Sequence, residues 1–285
     1  MAMSDLFLLP DGRLRAGWRL VLFLLVLVGA AFLLSFLVSF TGQVPSVTLN
    51  IAISAGATGA STWLLMRWME RQPFGAVGFP WKQGTPVAVG QGFVIGIAFA
   101  GGVTAIEWMA GAIRIESKAV GDGSSVAVTL LMLSGLLALG AAYEEVLFRG
   151  YAFQRLIEGT NGSVAILISS AVFGALHMSN PNATNLSTIN TVLAGAFLGI
   201  AYLKTRALWW PIGWHFGWNW TLAVLGHPVS GLEVAQLPWH VAVVAQPVWL
   251  HGGDYGPEGG VVATVVLLIG MTGTVFHFRR AEDPS

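Results

Sequence analysis

Apolar residues in this chain run on without interruption instead of alternating with polar ones. A helix needs roughly 18–20 predominantly apolar residues to cross a hydrocarbon core, and several uncharged stretches approach or exceed that length. The pattern predicts eight transmembrane helices, over Trp18–Phe40, Ser46–Trp68, Ala88–Ala110, Val126–Tyr143, Val164–Met178, Leu186–Leu203, Ala207–Leu225 and Gly260–Phe278. The fourth is expected to continue as helix through the charged residues that follow it, and the fifth is short. Basic residues give the orientation, because cytoplasmic loops collect Lys and Arg. With Arg13, Arg15 and Arg19 placed inside, eight crossings also bring Arg67, Arg71, Lys82, Arg149, Arg155, Lys204, Arg206, Arg279 and Arg280 inside. Arg114 and Lys118 alone fall outside, accompanied by Glu107, Glu116 and Asp122. The expected fold is therefore an all-α polytopic bundle, one integral membrane domain over 1–285, with both termini cytoplasmic.

Composition agrees with that pattern. Of the 285 residues, 55% are hydrophobic and 10% charged, with a mean hydropathy of +0.70, far from an ordinary soluble domain. The net charge of zero supplies no basic field for nucleic acid. The absence of cysteine excludes disulfides, thiolate metal sites and a cysteine nucleophile. The first apolar run lacks the features of a cleaved signal peptide and reads as a retained anchor.

The proline-rich segment 226–259 is expected outside the membrane. It reads as a structured or partly re-entrant loop, or, as the simpler and favoured reading, a plain external connection. Gly195 with Gly199, and Gly213 with Gly217, have the small-xxx-small spacing that lets membrane helices approach closely.

Ionisable side chains inside membrane helices are expensive, so each is a candidate for function. In the second half of the chain they are Glu144, Glu145, Arg149, His177 and His215, joined by the polar Asn219. Glu145 and Arg149 are four apart with Glu first, the favourable order for a pair on one helix face. Glu144 lies about 100° round the helix and is left available. Read alone, the stretch fits an interfacial charge cluster equally well. The sequence EGTNG at 158–162 signals a turn. In an antiparallel hairpin about that turn, Glu144 and His177 each lie about 25 Å of helix away and arrive at one depth. His215 and Asn219 share a helix face by their spacing of four, where interhelical hydrogen bonding is the competing reading.

A carboxylate, two histidines and an asparagine at one depth suit hydrolysis of an acyl bond. Glu144 would take a proton from water, His177 would position that water or share the proton, and His215 and Asn219 would donate to the developing oxyanion. A zinc version with Glu144, His177 and His215 as ligands is the alternative, without an HExxH motif; the reading without cofactor is preferred. His227, His240, His251 and His277 are read as non-catalytic.

These segments resemble a known set. Glu144, Glu145 and Arg149 form EExxxR, Phe173 and His177 form FxxxH, and His215 and Asn219 form HxxxN. Together they resemble the CAAX protease and bacteriocin-processing (CPBP or Abi) family of intramembrane proteases, over about Val126–Leu225, the expected catalytic helices. The resemblance implies about eight transmembrane helices around an intramembrane cavity. It implies that Glu144 and His177 activate water, that His215 and Asn219 stabilise the oxyanion, and that Glu145 and Arg149 support them. In eukaryotic members a prenylated CAAX protein loses its last three residues. The compact, cysteine-free chain looks bacterial, which points to an inner-membrane endopeptidase acting on a membrane-associated peptide or protein among lipids, with no nucleic-acid partner. A catalytically silent scaffold or immunity protein and a proton-coupled transporter are the rival classes.

Overall fold

The computed structural model describes residues 6–44, 46–118, 125–244 and 247–282, with side chains described up to residue 274. Asp122, the terminal residues and the side chains of His277, Arg279 and Arg280 lie outside that set. Each of the eight apolar runs is a helix. In chain order these are α1 (Ala16–Ser39), α2 (Val47–Trp68), α3 (Thr85–Met109), α4 (Val126–Arg149), α6 (Gly162–His177), α7 (Asn185–Thr205), α8 (Trp209–Leu225) and α10 (Val261–Glu282). Among the described residues, four are long and apolar enough to cross a membrane: α1, α3, α7, and α4 taken with its continuation α5 (Tyr151–Gly159). The helix does continue through the charged stretch, and Val126–Gly159 runs for 34 residues.

Local sequence explains where these helices begin and end. The hydroxyl of Ser46 accepts from the N–H of Leu49, and the Asn161 side chain accepts from Val164 at the start of α6. Thr184 and Ser187 form a reciprocal capping box at α7. Each cap satisfies donors that a helix start otherwise leaves orphaned. Gly226 ends α8 in the left-handed conformation, with φ +89°, where a side chain would also meet the backbone of His240.

Glycines set the closest helix approaches. A Cβ on Gly92, Gly96, Gly213 or Gly217 would lie 2.3 Å from a backbone oxygen of the facing helix, so α3 and α8 touch backbone to backbone. Gly195 and Gly199 lie against Ser170 and Ile166, fitting α7 to α6. Both glycine pairs read from the sequence thus lie in helix interfaces. Trp214 and Trp218 stack at 5.3 Å beside the α3–α8 seam, and Phe197 packs on Trp214 at 4.8 Å.

Two features depart from the sequence reading. The segment 226–259 is not a plain connection. Its strand β2 (Trp239–Val243) pairs antiparallel with β1 (Ile113–Ser117), with Ile115 opposite Val241, and the short helix α9 (Val248–His251) and two 3-10 turns follow. One small sheet therefore interrupts the all-helical pattern. Backbone donors explain why this segment is ordered: Val241 donates to Gly226 O, and Gly231 to Tyr255 O. In addition, Arg19, read from sequence only as one of the basic residues that set the orientation, has a structural role. It is buried and pairs with Glu70 at 3.1 Å and with Glu158, while Arg155 reaches the same two carboxylates. This network ties α1 and the end of α2 to α5.

Candidate active site

Adjacent positions on α4 send two carboxylates to different places. Glu145 and Arg149 are fully buried and paired at 3.1 Å. Arg149 also donates to the carbonyl of Gly195 at 2.9 Å, and its guanidinium lies over the Phe173 ring at 4.9 Å. The expected Glu145–Arg149 pair is present, but it is not the whole of Glu145's role. The Glu145 Oε1 atom also accepts from His215 Nδ1 at 2.9 Å. A carboxylate only accepts, so that bond puts a proton on Nδ1. His215 Nε2 then lies 3.7 Å from Glu144 Oε2. One imidazole on α8 stands between the two glutamates of α4.

Glu144 faces a cavity. The hydroxyl of Tyr143 donates to its Oε1 at 3.2 Å, and its Oε2 is buried with no hydrogen-bond partner among the described residues. His177, the last residue of α6, holds the carbonyl of Phe173 through Nδ1 at 2.8 Å, which leaves Nε2 as its second nitrogen. Phe173 is central to the arrangement. Its ring is 4.5 Å from His177, 6.3 Å from His215 and beneath Arg149. It is the first letter of the FxxxH spacing, and its role as packing wedge was not read from sequence.

The cavity measures about 690 Å³ and runs among α1, α2, α4, α6, α7, α8 and α10. Glu144, His177, His215 and Asn219 all line it. Glu145 and Arg149 stand behind the wall, one turn apart. Volume, apolar walls and a few converging polar groups are the features of a small-ligand or peptide site.

One lining residue comes from outside the motif region. Glu258, on a 3-10 turn of the 226–259 segment, borders the cavity. Its Oε1 accepts from Trp218 Nε1 at 3.1 Å, and its Oε2 accepts from the backbone N–H and the hydroxyl of Ser230. Burial pushes its carboxyl up from the usual carboxylate range, with these donors and the nearby His177 opposing the shift. Sequence reasoning missed it because an acidic residue in a Gly- and Pro-rich loop reads as solvated. Its only signal was position: it lies two residues before the last apolar run begins.

The other histidines lie elsewhere. His227 contacts the hydroxyl of Thr104 at 3.0 Å, His251 accepts from the N–H of Gly253, and His240 lies on β2 near Glu116. Burial pushes the His227 imidazole down to about 4. The zinc alternative asks Glu144, His177 and His215 to converge on one point. Among the described residues no three His, Cys, Asp or Glu side chains gather so as to hold a metal ion. The Nδ1 bonds of His215 to Glu145 and of His177 to a carbonyl leave each Nε2 available, an arrangement that suits a metal ligand as well as a group holding water.

Neither the curated proteins nor the solved structures contain a match to this chain. A family model does match, over residues 126–221, the stretch from α4 into α8 that carries all three motifs. The matched stretch, about a third of the chain, contains every motif residue on the cavity wall and does not contain Glu258. Through residues 126–221 the chain is thus similar to the Rce1-like family, type II CAAX prenyl endopeptidase Rce1-like, and so to the CAAX protease family that its EExxxR, FxxxH and HxxxN motifs resemble.

Proposed function

We propose that the protein is an intramembrane endopeptidase that hydrolyses a peptide bond of a membrane-associated protein or peptide without a metal. The observation that carries the reading is that Glu144, His177, His215 and Asn219, from three separate helices, border one cavity. Glu144 takes a proton from water as the water oxygen attacks the carbonyl carbon. Its Oε2 is buried, accepts no hydrogen bond from the described residues and lies 3.7 Å from His215 Nε2, which leaves it open to a water as base. His177 holds the water through Nε2. The tetrahedral oxyanion accepts from the Asn219 amide and from His215 Nε2. His215 donates there in its doubly protonated form, with the carboxylates of Glu144 and Glu145 on either side as countercharge. Glu144 then returns the proton to the leaving nitrogen as the C–N bond breaks, giving a carboxylic acid and an amine. Glu145 and Arg149 position His215 from behind the wall.

The eight helices are read as eight crossings with both termini in the cytoplasm, in a bacterial inner membrane. The test is Glu144→Gln in purified protein against a peptide library, with loss of about 10²–10⁴-fold in turnover expected. Undiminished cleavage by that variant ends the proposal. A silent scaffold would cleave nothing in any form, and a transporter would move solute in proteoliposomes. Elemental analysis and added chelator check the metal-free mechanism.

A further inference from the structure

Charge is distributed unevenly along the cavity wall. Two carboxylates line it, Glu144 and Glu258, and among the described residues no lysine or arginine does. Elsewhere Glu145 is matched with Arg149, and Glu70 with Arg19 and Arg155, whereas Glu107, buried on α3 and not part of the cavity lining, has neither a cation nor a hydrogen-bond partner among the described residues. Glu258 has no ion-pair partner among the described residues, although three donors converge on it and hold it toward the cavity. The segment that carries it is firmly seated. Asn190 of α7 donates to the carbonyls of Glu258 and Gly260, at 2.8 and 2.9 Å, and Asn180 donates to the carbonyl of Ser230 at 3.0 Å. Burying a carboxylate without a counter-cation is costly, and a wall that spends three donors to do so is built to meet a positive group. Fixed donors orient the carboxylate, and an incoming ligand supplies the missing charge.

We propose that Glu258 forms a cation-recognising subsite of this cavity, so that the preferred substrate brings an ammonium or guanidinium group beside the scissile bond and no free C-terminal carboxylate. This rests on the endopeptidase reading for the term "substrate", and on the cavity alone for the charge preference. It sets the chain apart from the removal of three C-terminal residues carried out by the eukaryotic members of the family it resembles. In that reaction the departing piece carries a carboxylate, and a subsite formed by the Glu258 carboxylate, on a wall without lysine or arginine among the described residues, disfavours it. Two sources can supply the cation, an internal Lys or Arg side chain or a free amino terminus.

The experiment uses full-length protein in nanodiscs and one peptide series. Members carry Lys, norleucine or Glu at each position flanking the bond, with free or acetylated amino terminus and free or amidated carboxyl terminus. Cleavage is followed with wild type, and binding of the labelled peptides with the Glu144→Gln protein. Cationic members are expected to bind and to be cleaved about tenfold better than neutral ones, mainly through KM, and amidation of the carboxyl terminus is expected to help. Glu258→Gln should bring the cationic-to-neutral ratio to about one. Ser230→Ala, which removes a donor and keeps the charge, should preserve the ratio; a purely structural Glu258 would leave the ratio intact in both variants. Dependence on acetylation assigns the cation to the amino terminus, and dependence on Lys assigns it to a side chain. Equal binding of cationic, neutral and acidic peptides, or binding of none, overturns the subsite even where cleavage is seen. Charge-selective binding without cleavage by wild type keeps the subsite and ends the hydrolase reading instead. Should Glu258→Gln fail to fold, the wild-type series decides by itself.

Discussion

Helix α8 has two faces with opposite physics. Gly213 and Gly217 face α3, where the backbones meet with no room for a methyl group. His215 and Asn219 sit two residues further along, about 200° round the helix, and border a cavity of about 690 Å³. Both pairs repeat at a spacing of four, so one short sequence, GWHFGWNW, carries two interleaved patterns. The glycine face is rigid and anchors the helix. The polar face can then keep a void without collapsing into it. A membrane bundle obtains no hydrophobic gain from bringing helices together in lipid, so close backbone contact on one side has to hold what the other side leaves open.

That contrast can be tested from the largest expected effect downward. Glu145→Leu strands the buried Arg149 and should cost about 3–5 kcal/mol of stability in detergent unfolding, with Arg149→Met in the same chain restoring most of it. An unchanged unfolding midpoint in the single variant would remove the support assigned to that pair. Asn219→Ala, on the cavity face, should lower kcat by about 10²–10³-fold with stability nearly intact. Cleavage at the wild-type rate would strike Asn219 from the oxyanion site. On the seam, Gly217→Ala places a methyl group against the Phe93 carbonyl and should cost about 1–3 kcal/mol. Gly101→Ala, at a position on α3 open to its surroundings, is the matched control and should cost nothing. If the two alanines behave alike, the seam is not what anchors α8. The smallest effect is expected from Ser134→Ala, which removes the acceptor of the Trp220 Nε1–H bond at 2.9 Å between α4 and α8. About 0.6 kcal/mol is the usual worth of such a membrane hydrogen bond, and a loss several times larger would mean that polar contacts share the anchoring.

Much of this was legible in the chain. Long apolar runs marked where eight helices form, because an uncharged run of that length has few other ways to satisfy its backbone in lipid. Spacing of four named Glu145 with Arg149 and His215 with Asn219, because helical geometry is local. Other parts were not legible. The bond from His215 to Glu145 joins residues 70 apart in sequence, and nothing local to either announces the other. The pairing of β1 with β2 joins two short strands, IRIES and WHVAV, from segments far apart in sequence. Arg19 gave only an orientation in sequence, and its two carboxylates, from α5 and from beyond α2, come from distant segments.

The sequence by itself determined that the chain is a bundle of apolar helices and that a handful of polar groups, Glu144, His177, His215 and Asn219 among them, stand where lipid would penalise them. Periodicity and transfer energy are properties of a segment and need no partner. Only the tertiary structure decided that these groups border a common void, that Glu145 serves a histidine as well as an arginine, and that Glu258 closes the wall. Those outcomes depend on which helix faces meet, and helix faces meet through long-range packing that no single segment encodes.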